Sequence, residues 1–225
     1  MRKWSFTEAI LVLIVCGSLL IEAGALIPPR YDGFVFGGGE EGKGTAAEVV
    51  IEAFYDPLCP YSRDSWPPLK KAIKHYRSHG VALIVHPFSL PYHDNAFVAS
   101  RALHIANNLN SSTTYHLLDL FFKKQERFYN KPTRHLSRAA IVSRIAKFAT
   151  KALGKSSLSD IESAFEDSNT DYQTRISFKY ACSRSVIGTP TFIVNGFQLP
   201  DDGSDLDYEK WKKIIDSLLS GNVVD

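Results

Sequence analysis

Strand-like and helix-like hydrophobic patterns alternate in the first half of the chain. Residues 49–55 form an apolar, β-rich run that predicts a buried strand. After it, Trp66, Leu69 and Ile73 recur at three- and four-residue steps, which predicts an amphipathic helix. Residues 81–85 then predict a second strand. If the two strands are parallel, this segment forms a right-handed βαβ unit.

The second half is dominated by helical periodicity and returns to strands near its end. Residues 95–183 have helical spacing almost throughout. Residues 191–194 predict a strand that continues as a hairpin into residues 197–198, and residues 208–219 predict a last amphipathic helix. The pattern therefore predicts an α/β fold whose sheet is interrupted in sequence by a helical insertion.

Specific side chains refine these elements. Pro67 and Pro68 predict a kink or an interruption near the start of the first helix. The pair Asn195-Gly196 between apolar residues predicts a tight hairpin. Asp207 is expected to cap the last helix.

The N-terminal segment has the pattern of a cleaved signal peptide, assigned to residues 1–25. Two basic residues open it, residues 10–20 are largely apolar, and residues 23–25 are small. The alternative is an uncleaved anchor, but the apolar stretch is short for a span of about 20 residues. Residues 26–47 are rich in proline and glycine and predict a flexible arm.

Composition restricts the choice of partners. The 225 residues are 44% hydrophobic and 22% charged with a net charge of +2, which is typical of a globular protein. Such a small charge does not indicate nucleic acid or an anionic membrane as a partner. With the signal removed, we expect a secreted or secretory-pathway protein without a membrane partner. The sequon at Asn110, a candidate glycosylation site, fits that route.

Cysteine usage leaves several interpretations open. Cys16 would leave with the signal peptide, so the mature chain keeps Cys59 and Cys182. In an oxidising compartment the two could form a disulfide, which requires Cα atoms within roughly 7 Å. Cys182 could instead be a small buried helix residue, or a resolving thiol for Cys59.

A motif at the first strand-to-helix transition carries the candidate chemistry. Cys59 stands where free N–H groups and the helix dipole stabilise an anion, so the reactive thiolate is favoured. Pro60 suits the first helical position. Ser62, one turn on, is predicted to donate a hydrogen bond to the thiolate, and Tyr61 to line the substrate surface. Cys59 and Ser62 are therefore the candidate catalytic residues.

The second half of the candidate site lies far along the sequence. Pro190 begins a core strand after a glycine and a threonine, which predicts a cis-proline. The Thr189 backbone would then face the nucleophile and pair with an extended substrate, as in β-strand addition. Pro60, Tyr61, Thr189 and Pro190 are the predicted substrate-binding residues.

These motifs together resemble the DsbA-like branch of the thioredoxin superfamily, over residues 48–219. The resemblance implies a thioredoxin-like domain from residues 48–94 and 184–225, with residues 95–183 as a helical insertion domain. It also implies thiol–disulfide exchange on proteins, with Cys59 as the attacking cysteine and Pro190 as the cis-proline.

The sequence departs from that family in two places. Ser62 stands where the family has its second cysteine, and a serine cannot resolve a mixed disulfide. The family often has a buried acid six residues before the first cysteine, where this chain has Ala53. The adjacent Glu52 is expected to point to the opposite face of the strand.

The expected function is thiol–disulfide oxidoreductase or isomerase activity through a single thiolate, with protein thiols or disulfides as partners. One alternative is a glutathione-dependent enzyme resembling the kappa glutathione transferases, which use a serine in a similar motif. The other is a non-catalytic module that binds peptides. No cofactor is expected beyond possible use of glutathione. The histidines do not predict a metal site, since His75 and His79 lack a third ligand.

Overall fold

The computed structural model describes residues 31–36, 47–200 and 206–220. The predicted signal peptide, and with it Cys16, lies outside the described residues. The described residues form a five-stranded sheet with the order β1-β3-β2-β4-β5. The strands are β1, Phe34–Val35; β2, Val49–Tyr55; β3, Val81–Pro87; β4, Thr191–Val194; and β5, Phe197–Gln198.

Helices cover both faces of this sheet and fill the region between β3 and β4. The helices are α1, Pro60–His75; α2, Ala96–Asn110; α3, Thr114–Lys124; α4, Asn130–Thr133; α5, Arg138–Leu153; α6, Leu158–Glu166; α7, Ser168–Ser183; and α8, Tyr208–Leu219. Helices α2 to α7 constitute the predicted helical insertion. None of the helices in the described residues is both long and apolar enough to span a membrane.

The sheet has the predicted connectivity. Strand β2 pairs in parallel with β3, with Ile51 opposite Leu83, and α1 connects the two. Strand β4 pairs antiparallel with the other edge of β2, and β5 follows it as a hairpin. Asn195 and Gly196 both have positive φ, 47° and 88°, as the predicted Asn-Gly turn requires.

Strand β2 is the middle strand of the sheet, and both of its faces are buried. All seven of its residues are buried, including the polar Glu52. Ile51 and Ala53 pack in the main core, which also contains residues of α1, α8 and the insertion. Phe54 packs on the other face in a smaller cluster that includes Cys59. Side chains packed on both faces of β2 therefore support the strand that leads into Cys59.

Two predictions about local order were wrong. Part of the predicted flexible arm is an edge strand, because Phe34 is buried and pairs with Val85 of β3. Helix α1 is not interrupted by Pro67 and Pro68, which both lie inside it. The packing of the α1 apolar stripe against the sheet offsets a cost of about 3 kcal/mol per interior proline.

Candidate functional site

Cys59 occupies the N-cap of α1, with Pro60 as the first helical residue. Its backbone is extended, with φ −82° and ψ 125°. The preceding turn is closed by Asp56, whose carbonyl accepts from the Cys59 N–H at 3.1 Å and whose Oδ1 accepts from the Leu58 N–H at 2.7 Å. The residue is therefore at the end of α1 where free N–H groups favour an anion, while its side chain makes no capping hydrogen bond.

The two sequence-distant halves of the site meet at the sulfur. Cys59 Sγ donates to the Thr189 carbonyl oxygen at 3.3 Å, although the two residues are 130 positions apart. The Thr189–Pro190 peptide bond is cis. Pairing of β4 beside β2, with Thr191 opposite Phe54, brings this loop to the end of the strand that leads into Cys59.

The nucleophile is recessed among exposed apolar side chains. Cys59 is 2% exposed, whereas Tyr61 is 64%, Tyr92 63% and Ile187 92% exposed. Tyr61 is two residues from Cys59, and Ile187 is two residues from Thr189. Exposed apolar side chains therefore lie next to both halves of the site, the cysteine motif and the Thr189–Pro190 loop.

Ser62 does not have the predicted role in this structure. It is fully buried, and its Oγ makes no hydrogen bond with any described residue, Cys59 included. Its carbonyl accepts from Ser65 Oγ at 3.1 Å. The thiol of Cys59 turns instead toward Thr189, so the prediction of a Ser62–Cys59 hydrogen bond was wrong.

Cys182 lies on α7 and is exposed, so the interpretation of a small buried helix residue was wrong. Both Cys59 and Cys182 are free cysteines, and they form no disulfide with each other. The exposed position of Cys182 leaves its thiol accessible to solution thiols.

A buried carboxylate–histidine pair beside Cys59 was missed at the sequence level. Asp56 is fully buried, and its Oδ2 lies 2.8 Å from His93 Nδ1. The same oxygen accepts from the Leu90 N–H at 3.0 Å. A signal was present, because Asp56 follows β2 and His93 follows β3, and the carboxyl ends of parallel strands lie at one edge of a sheet.

The insertion also contributes to the site. Gln125 is fully buried, and its Nε2 donates to the carbonyl oxygens of Pro57 and Cys59, both at 3.2 Å. Its Oε1 accepts from Tyr129 at 2.9 Å. Periodicity gave no reason to single out this glutamine, because its role depends on packing between the insertion and the sheet.

A cavity of about 260 Å³ opens next to the cysteine motif. Leu58 and Pro60, the two neighbours of Cys59, form one side, and His93 contributes to another. Aromatic rings of the insertion and Lys131 complete its wall. Among the described residues there is no group of three or more His, Cys, Asp or Glu side chains placed to hold a metal ion.

Glu52 lies on the face of β2 opposite Ala53, as predicted. It accepts from Tyr180 at 2.6 Å and Arg184 at 3.0 Å, and its Oε2 is 3.2 Å from His86 Nε2. Burial alone would raise the pKa of Glu52, but the nearby His86 ring, the hydrogen bond from Tyr180 and the charge of Arg184 hold that pKa below its ordinary value. Glu52 is thus part of a structural network.

The sequence of this chain matches a known protein family over most of its length. The sequence model of the thioredoxin family matches residues 42–217. This chain belongs to the thioredoxin family. Its predicted DsbA-like form of the fold, a thioredoxin-like sheet with a long helical insertion, is confirmed. No curated protein sequence matches the chain.

Several solved structures share the fold of this thioredoxin-family protein. The catalytic domain of Proteus mirabilis ScsC is 20% identical with a TM-score of 0.60, over 91% of this chain and 98% of that one. Bacillus subtilis BdbD is 16% identical with a TM-score of 0.63, over 85% and 100%. A protein-disulfide isomerase from Novosphingobium aromaticivorans is 17% identical with a TM-score of 0.58, over 84% and 99%.

Proposed function

We propose that this thioredoxin-family protein exchanges thiols and disulfides of proteins in the secretory pathway through the single thiolate of Cys59. The observation that carries the proposal is the position of Cys59 Sγ, at a helix N-terminus and 3.3 Å from the Thr189 carbonyl oxygen. The helix N-terminus favours a thiolate, and loss of the thiol proton would free the Thr189 carbonyl for an extended peptide.

The chemistry stops at a mixed disulfide unless a second thiol arrives. Cys59 attacks one sulfur of a substrate disulfide, forms a mixed disulfide with it and releases the other sulfur as a thiol. Ser62 cannot reverse that bond. Release therefore needs another thiol of the substrate, which gives isomerisation, or a thiol from solution such as glutathione.

Substrate choice is supported by the surface around Cys59. Tyr61, Tyr92 and Ile187 are exposed and uncharged, which suits an unfolded or extended polypeptide better than a compact polar molecule. One of the solved structures that shares the fold is described as a protein-disulfide isomerase. Pro60 and the Thr189–Pro190 loop would bind the same peptide.

The location in the secretory pathway is part of the proposal. It is supported by the signal-peptide pattern of residues 1–25 and by the sequon at Asn110, which is exposed at the end of α2. A solved periplasmic thioredoxin-like protein from Salmonella enterica is 18% identical with a TM-score of 0.58.

Trapping tests the proposed function. The protein is incubated with a secretory-compartment extract, quenched with acid and separated without reductant, and its disulfide-linked partners are identified. We expect adducts from the wild type and from Cys182→Ser, and none when Cys59→Ser is combined with Cys182→Ser. Adducts that persist in this double variant, or their absence from the wild type while peptide binding remains, would contradict the proposal and favour a binding module.

A further inference from the structure

We propose that His93, oriented by Asp56, is the acid–base residue of disulfide exchange at Cys59. This inference rests on the proposed function and deepens it, because it assigns the route of the proton. The Ser62 hydroxyl makes no hydrogen bond with the described residues, the usual position of a buried acid holds Ala53, and Glu52 faces the other side of the sheet. Proton transfer therefore needs a group from elsewhere in the fold.

Asp56 fixes the tautomer of His93. The Asp56 carboxylate is fully buried and accepts the N–H groups of Leu58 and Leu90 at 2.7 and 3.0 Å. A carboxylate only accepts hydrogen bonds, so the ring atom at 2.8 Å from it, His93 Nδ1, carries the proton. The other ring nitrogen, Nε2, is left as the basic one.

The imidazole also borders the cavity next to the cysteine motif. The His93 side chain is 21% exposed and shares a cavity wall with Leu58 and Pro60, the residues on either side of Cys59. The adjacent phenol of Tyr92 is influenced by the same sulfur: its partial burial raises its pKa, and the charge of Cys59 raises it further. On this proposal, a substrate disulfide at Cys59 places its leaving sulfur in the cavity that His93 borders.

Other ionisable groups face His93 from the elements around it. Tyr129 and Lys131 of the insertion line the same cavity. Asp94, Arg175 and Lys179 line a second cavity, of about 420 Å³, that His93 also borders. Asp56, in contrast to these groups, has an oxygen at hydrogen-bond distance from the His93 ring. The imidazolium formed during exchange is therefore stabilised chiefly by Asp56.

Exchange at Cys59 moves one proton and exchanges one sulfur–sulfur bond for another. The helix N-terminus favours the Cys59 thiolate, whose proton is held by His93 Nε2 as an imidazolium, and this thiolate attacks one sulfur of R–S–S–R′. The Cys59–S–R bond forms, the substrate S–S bond breaks, and R′–S⁻ leaves with the electron pair. The imidazolium returns the proton to R′–S⁻, which gives R′–SH and a neutral imidazole. No other oxidant or reductant is required.

Leaving-group dependence tests this role. His93→Asn keeps an amide that can donate to Asp56 in place of Nδ1 but cannot exchange a proton, and His93→Gln serves as a second variant. His135→Asn, at an exposed histidine, is the matched control. Each protein reacts with bis(2-hydroxyethyl) disulfide, whose leaving thiolate is strongly basic, and with 5,5′-dithiobis(2-nitrobenzoic acid), whose leaving thiolate is weakly basic. The Cys59 adduct is quantified by mass spectrometry.

We expect both His93 variants to react at least about tenfold more slowly with the aliphatic disulfide and within about threefold of wild type with the aromatic one. His135→Asn should match wild type with both. Equal losses with both disulfides would show a purely structural role and overturn the inference, as would rates that do not change. A wild type that reacts with neither disulfide would overturn the proposed function itself.

Discussion

At the scale of single residues, Ser62 determines what Cys59 can complete. Its side chain is fully buried beside the first turn of α1 and makes no hydrogen bond with the described residues. The residue therefore contributes volume rather than a contact to the thiol. A sulfur atom at the same place would change the chemistry without removing an interaction.

Ser62→Cys is expected to convert the site into a dithiol. Because the substitution nearly conserves shape and breaks no hydrogen bond, the free energy of unfolding should change by less than about 1.5 kcal/mol. The new thiol should attack the mixed disulfides of Cys59, so trapped partners should decrease on non-reducing gels while an internal disulfide accumulates.

Ser62→Ala is the control for that experiment, because it keeps one thiol in the motif and should trap partners like wild type. Trapping by Ser62→Cys at the wild-type level would contradict the expectation. It would mean that this position does not face the sulfur of Cys59.

At the scale of elements, the segment after α3 links the insertion to the cysteine motif. Gln125 donates to the carbonyls of Pro57 and Cys59, and Asn130 donates to the Tyr92 carbonyl at 2.9 Å. The insertion therefore holds both loops that flank the nucleophile. We infer that it positions the site as well as covering the sheet.

Gln125→Leu tests this positioning. The change leaves two buried carbonyl oxygens without the Gln125 donor, at a cost of about 1–3 kcal/mol in the free energy of unfolding, measured by urea titration. The rate of Cys59 alkylation by iodoacetamide should change with it, because the turn that holds the sulfur is released.

The matched control is Gln173→Leu, which removes a more exposed glutamine bonded to Asn108 at 2.9 Å. It should change the free energy of unfolding by less than about 0.5 kcal/mol and leave Cys59 alkylation unchanged. Equal effects of the two substitutions would refute a special role for Gln125.

The elements and the first site residues could be predicted from the sequence because they are encoded locally. The apolar run of β2 and the Asn195-Gly196 turn depend on neighbouring residues alone. The continuity of α1 through Pro67 and Pro68, and the pairing of Phe34 with Val85, depend on packing that no local pattern records.

The same distinction applies within the site. The helix start at Cys59 and the approach of Thr189 follow from motif and topology. The inward orientation of Ser62 depends on how α1 packs. The Asp56–His93 pair depends on side-chain directions at the sheet edge where β2 and β3 end. A sequence pattern gives the edge but not those directions.

At the scale of the whole molecule, sheet and insertion share one main core, while charges are buried on the other face of β2. His86 is fully buried between Glu52 and Asp32, at 3.2 and 3.7 Å from their carboxylate oxygens. Burial would raise the pKa of Asp32, but interactions with the nearby His86 and Ser177 side chains keep that pKa below its ordinary value. Two carboxylates with lowered pKa values, Glu52 and Asp32, thus flank the buried His86.

Glu52→Gln should reveal the contribution of Glu52 as a pH effect on global stability. The pKa of Glu52 is lower in the folded state than its ordinary 4.5, so its stabilisation is present above about pH 4.5 and is lost as the pH falls through the folded value. We expect the variant to be about 1.5–3 kcal/mol less stable than wild type at pH 7, with a smaller difference near pH 3.

Urea unfolding at both pH values measures that difference. Glu162→Gln, at an exposed helix position, is the control and should be close to wild type at either pH. A wild-type advantage that is the same at pH 7 and pH 3 would contradict an ionised, stabilising Glu52.

The reactivity of Cys59 toward a disulfide is the most direct measurement of the central claim. Full-length protein and free glutathione react at pH 7 with a disulfide-bonded apolar peptide, and mass spectrometry follows the Cys59 and Cys182 adducts separately. We expect Cys59 to react faster than glutathione, because the N-terminus of α1 favours the attacking anion. A Cys59 that reacts no faster than glutathione, or more slowly than the exposed Cys182, would contradict an exchange function.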